Sequence, residues 1–187
     1  MIKCARPFAL ATMSLLLSGA ALSASSANGA ATETQLQRGK YLVEFSTCTD
    51  CHTPGSLRGH PDMSKFLAGS DVGFAVPGLG IFVPPNLTPD ATGLGNWTTQ
   101  QIATAITTGE RPDGRILAPI MPWRSISHLT SSDAQAIAVY LKSLPPVHNE
   151  VPGPLGPTEK PTVSVSVVLQ PDVYSGLPAH PVPLGAK

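Results

Sequence analysis

Cysteine is scarce in this sequence, at three residues in 187, and aromatic and charged side chains are few, at 5% and 13%. Three cysteines cannot build a scaffold of several disulfides. Twelve basic residues balance twelve acidic ones, which gives no reason to expect nucleic acid or an anionic membrane surface as a partner. With 42% apolar residues, 20 prolines and 17 glycines, the composition favours a small folded domain with long ordered loops over a disordered chain. The length suits one well-packed domain with residues to spare and is short for two.

Long apolar runs are also missing, apart from one at the N-terminus. Lys3 and Arg6 open the chain, Phe8 to Leu22 is apolar with small or polar interruptions, and a small-residue stretch holds the triplet Ser25-Ser26-Ala27. This pattern predicts a secretory signal peptide over residues 1–27. An uncleaved anchor is disfavoured because a span needs about 20 apolar residues. Cys4 precedes the run, where a lipoprotein cysteine would follow it. The mature chain expected from cleavage has no transmembrane span and keeps ten basic and twelve acidic side chains. It also keeps only Cys48 and Cys51, a local pair in a protein bound for an oxidising compartment.

Three segments carry helical signals. In the first, Thr34 to Thr47, Leu36, Gly39, Leu42 and Val43 recur at helical spacing and lead into the cysteine pair. A second starts at Thr98, which with Gln101 forms a capping-box pattern, continues through Ile102, Ala105 and Ile106, and stops at Gly109. The third starts in Thr130-Ser-Ser-Asp133, aligns Ile137, Tyr140, Leu141 and Leu144, and ends at Pro145-Pro146. Between them, Thr53 to Trp97 and Gly109 to His128 read as long loops, which compact domains carry when the loops wrap around something. Ten of the 20 prolines fall in residues 145–187. That stretch reads as an extended tail packing on the domain or on a partner, with Thr162 to Leu169 alternating as an edge strand would.

The pair sits in Cys48-Thr-Asp-Cys-His52. A thioredoxin-like dithiol would follow a strand in an alternating strand and helix pattern, which this chain lacks. Zinc needs four ligands, and the motif offers three. Covalent haem accounts for more of the pattern. Two thioethers to adjacent pyrrole vinyl groups need sulfurs about one helical turn apart, and the following histidine is carried under the macrocycle to ligate iron.

The mature chain has two methionines, Met63 and Met121. Met121, in Ala118-Pro-Ile-Met-Pro-Trp123, is bracketed by prolines that fix the backbone, and it is the preferred distal ligand. Met63, in a polar segment, and then His128 are the alternatives. His60, His148 and His180 read as solvated loop residues. Trp97 and Arg124 carry an indole N–H and a guanidinium suited to haem propionates.

Taken in order, Arg38-Gly-Lys-Tyr-Leu42, Cys48-Thr-Asp-Cys-His52, Asn86-Leu-Thr-Pro-Asp90, Gly93-Leu-Gly-Asn-Trp97, Asp113-Gly114, Pro119-Ile-Met-Pro-Trp123 and Ala136 to Pro146 resemble the class I cytochrome c domain. The likeness is greatest to domains of bacterial dehydrogenase cytochrome subunits. It implies an all-α cytochrome c fold over residues 28–147, with three main helices and long loops around one covalent haem c, followed by the Pro-rich tail 148–187. It further implies His52 proximal, Met121 distal, and a crossing of the first and last helices at Gly39 and Tyr140.

The expected function is electron transfer in the bacterial periplasm between redox partners, such as a periplasmic or membrane-bound dehydrogenase or a terminal oxidase. No substrate chemistry of its own is expected. The alternative is a haem c enzyme or small-ligand sensor with an open or labile sixth iron position.

Overall fold

The computed structural model describes residues 23–177, with side chains described from Glu33 onward. The predicted leader therefore lies mostly outside the described residues, as does His180. Helix α1 spans Ser23–Phe45, and its part from Thr34 belongs to the compact unit that holds the rest of the chain. After Thr47 turns left-handed at φ 53°, the short helix α2 (Cys48–His52) begins. Helix α3 (Thr99–Thr108) has the expected capping box: Thr98 Oγ1 accepts from Gln101 N at 3.1 Å, and Gln101 Oε1 accepts from Thr98 N at 2.9 Å. Its stop is Gly109, left-handed at φ 79°. A short helix α4 (Trp123–Ile126) leads to α5 (Ser131–Ser143), where Thr130 Oγ1 caps Asp133 N at 3.1 Å and Leu144 ends the helix.

The core forms where these helices meet. Leu42 and Val43 of α1, Ile102 and Ala103 of α3, and Ala134, Ile137, Ala138 and Leu141 of α5 pack with Leu67 and Leu94 from the loops. Helix α1 crosses α5 so closely that a Cβ on Gly39 would run into the Ala136 carbonyl and lie 2.7 Å from Tyr140 Cβ. The crossing expected from the resemblance is thus present, and glycine is what permits it. Arg38 ties the same crossing from outside by two bonds to Asp133, at 2.7 and 3.1 Å.

A small sheet departs from the all-α expectation. Strands β1 (Val72–Val76) and β2 (Gly80–Phe82) pair antiparallel within the stretch read as loop, with Phe74 opposite Phe82. Strand β3 (Ser164–Ser166) joins β1 in parallel from the tail, giving the order β2-β1-β3. The expected edge strand within Thr162 to Leu169 is therefore present. Its partner was hidden because Val-Gly-Phe-Ala-Val is too short and too rich in small residues to show periodicity. Further along, the short helix α6 (Pro171–Ser175) closes the described chain, and Val168, Val173 and Tyr174 are exposed there. No helix among the described residues is long and apolar enough to cross a membrane.

Candidate cofactor site

Helix α2 sets the geometry. Cys48 and Cys51 lie one turn apart on it, both thiols free of a disulfide, and Cys48 packs against the core. Burial pushes the Cys48 thiol up to about 11 and also raises Cys51, with Asp50 adding to it. These are neutral thiols, whereas a redox dithiol relies on a thiolate at a lowered pKa.

His52 ends the helix and is buried, at 6% exposure. Its Nδ1 lies 2.8 Å from the Pro85 carbonyl oxygen. A carbonyl only accepts, so Nδ1 carries the proton. Burial lowers the imidazole pKa, with the Pro85 bond opposing it, so the ring is neutral and Nε2 has its lone pair. The backbone holds the residue as well: Gly69 N donates to the His52 carbonyl at 2.8 Å, and Thr53 Oγ1 accepts from Leu67 N at 2.9 Å. A neutral imidazole with one nitrogen anchored and the other available is the form that ligates a metal. With two thiols one turn apart on the same helix, these residues fit a covalently attached haem. Zinc is not favoured, because among the described residues no group of three or more His, Cys, Asp or Glu side chains is arranged to hold a metal ion.

Met121 stands in a turn in which its N–H donates to the Ala118 carbonyl at 3.0 Å and its own carbonyl accepts from Trp123 N at 2.8 Å. It is half-buried, whereas Met63, His60 and His128 are exposed. The loop before it is pinned by Leu117 N to the Gly109 carbonyl at 2.7 Å and by the bridge between Glu110 and Ile116.

The two residues read as propionate donors stand in different surroundings. Trp97 is half-buried against the core, and its ring is covered by the Arg111 guanidinium at 5.1 Å. Arg124 is exposed and lies over the ring of Trp123 at 4.6 Å. The guanidinium beside Trp97 is thus Arg111, which sequence reasoning passed over because fourteen residues separate the two. Pro85 was missed as well, since nothing in a proline marks its carbonyl as an acceptor. Trp123 Nε1 is a buried donor with no partner among the described residues.

The cytochrome c family model matches residues 36–145. The chain is 34% identical over 112 residues to the fructose dehydrogenase cytochrome subunit of Gluconobacter japonicus, covering 58% of this chain and 22% of that protein. A diheme cytochrome c-type protein of Cereibacter sphaeroides is 37% identical over 116 residues, 59% of this chain and 36% of the relative. The gluconate 2-dehydrogenase cytochrome c subunit of Pantoea cypripedii is 31% identical over 170 residues, 87% of this chain and 35% of the relative. The chain spans about a fifth to a third of the length of these relatives. It belongs to the cytochrome c family, as a class I c-type cytochrome domain.

Proposed function

We propose that this chain is an exported single-haem electron carrier in which Cys48 and Cys51 would hold the haem as thioethers and His52 and Met121 would ligate its iron. The observation that carries the reading is the buried His52, its Nδ1–H committed to Pro85 and its Nε2 left for iron. Bound there, haem c supplies one-electron exchange between ferric and ferrous iron. His52 supplies a neutral, oriented imidazole, and Pro85 keeps that orientation. Met121, set between Pro119 and Pro122, supplies a soft thioether, which favours ferrous iron and fills the position a small ligand would need. Trp97 and Arg124 donate to the propionates, and Arg111 is placed beside Trp97 to assist. The leader ends near residue 27, the haem domain runs over residues 28–147, and the donor is a bacterial dehydrogenase met in the periplasm.

Potentiometric titration of the purified protein, followed by exposure of the ferrous form to carbon monoxide, tests the reading. The expected result is a single one-electron wave and no carbon monoxide adduct. Ready formation of the adduct would favour the open-site enzyme or sensor.

A further inference from the structure

The tail just past the family-matched region grips the loop that supplies both of the His52 anchors. Asn149 Nδ2 donates to the Ala68 carbonyl at 2.8 Å, and its backbone N–H donates to Thr92 Oγ1 at 3.2 Å. Val151 covers Gly69, which has φ 106° and no room for a Cβ against the Val151 methyl. Val147 N donates to Thr88 Oγ1 at 3.1 Å, and the buried Asn86 donates from Nδ2 to the Val147 carbonyl at 2.8 Å.

Three of the gripped residues lie next to a His52 contact. Ala68 and Gly69 adjoin the Gly69 N–H that holds the His52 carbonyl, and Asn86 follows Pro85, whose carbonyl holds Nδ1. The two arms of the loop are themselves joined, by Ser70 N to the Pro84 carbonyl at 3.0 Å and Leu87 N to the Leu67 carbonyl at 2.8 Å. The loop also holds a strained residue: Leu67 is fully buried with φ 57°. Non-glycine residues persist in that region only where surrounding contacts over-determine them, at a cost of about 1–3 kcal/mol. Thr53 supplies one such contact at Leu67 N, and Asn149 supplies another at the next carbonyl.

We propose that residues 147–151 act as a positioning clamp for the proximal histidine, with Asn149 and Val151 holding the Leu67–Asn86 loop so that Pro85 stays bonded to His52 Nδ1. The proposal rests on His52 being an iron ligand. A firm bond from Nδ1–H to a carbonyl makes the imidazole a stronger donor and favours ferric iron. Loosening the clamp therefore shifts the couple towards ferrous.

Asn149→Ala and Val151→Ala are made separately in the full-length, haem-loaded protein, with Val168→Ala at an exposed tail position as the comparison. The ferrous-to-ferric ratio at a fixed ambient potential and, by NMR of the ferrous protein, the solvent exchange rate of the His52 Nδ1–H proton are measured. The expected result is a rise of about threefold in the ratio, about 28 mV for one electron at about 59 mV per tenfold, and faster exchange of that proton in both clamp variants, with Val168→Ala unchanged. An unchanged ratio and exchange rate in a haem-loaded clamp variant overturn the proposal and leave the haem reading intact. Failure of both variants to hold haem would make the segment a folding element, and this too overturns it. Ring-carbon protons of His52 without an upfield ring-current shift in the ferrous parent protein are the distinct outcome that defeats the ligand assignment.

Discussion

The Nδ1 atom of His52 and the carbonyl oxygen of Pro85, 33 residues apart in the chain, lie 2.8 Å from each other inside the protein. This one bond fixes the tautomer, the ring plane and the nitrogen that remains available. It also gives the loop after the Cys-Thr-Asp-Cys-His motif a chemical role, which is to return a carbonyl to the histidine that ends α2.

Replacing Met121 tests the opposite side. In Met121→Ala the midpoint potential is expected to fall by on the order of 0.1 V, within the roughly 0.8 V range that axial ligands control, and the ferrous protein is expected to gain carbon monoxide binding. Potentiometry and visible absorption measure both. An unchanged potential would remove Met121 from the iron and direct attention to His128 or Met63.

Gly39 is expected to tolerate no side chain. Glycine to alanine within a helix ordinarily gains up to about 1 kcal/mol, but here the added Cβ meets the Ala136 carbonyl and lies 2.7 Å from Tyr140 Cβ. Overpacking of this kind costs about 1–3 kcal/mol, so the clash wins. Thermal unfolding of Gly39→Ala is expected to come several degrees below wild type. An equal or higher melting temperature would mean that α1 and α5 do not cross in this way.

The acid limb of stability has an identifiable contributor. Hydrogen bonds from Arg115 hold the Asp113 carboxyl down at about 2, against an ordinary 3.8. A carboxyl with a depressed folded pKa stabilises the fold above its unfolded value and loses that effect as pH falls through the folded one. The difference in urea midpoint between wild type and Asp113→Asn is thus expected to be constant above about pH 5 and to vanish towards about pH 1. Because the group is solvent-exposed, the difference is expected to be small and to shrink with added salt. A difference that persists in full at about pH 1 would contradict the assignment.

How much of this was legible depended on whether the cause was local. Thr98 with Gln101, Gly109, and Thr130 with Asp133 are read within one helical turn, and helices α3 and α5 begin and end as those residues dictate. Gly39 was legible for another reason, because the family pattern implied a close crossing there. The hairpin β1-β2 was not legible, since its stability comes from β3 some eighty residues later and from the Leu155 bridge to Ile81. In the site, Cys48, Cys51 and His52 declare themselves by spacing. Pro85, Asn149 and Arg111 do not, because a backbone acceptor, a tail amide and a guanidinium gain their roles only when the folded chain brings a distant residue to them. Trp123 is the converse case: its buried, unpartnered Nε1 is visible only after folding.

The most direct test of the account is acid–acetone treatment of the purified protein, carried out in parallel on wild type and on a Cys48→Ser, Cys51→Ser double variant, with the haem quantified per chain. The account predicts that one haem per wild-type chain stays with the precipitated protein and that any haem in the double variant passes into the solvent. Extraction of the wild-type haem, or retention of two haems per chain, would contradict it.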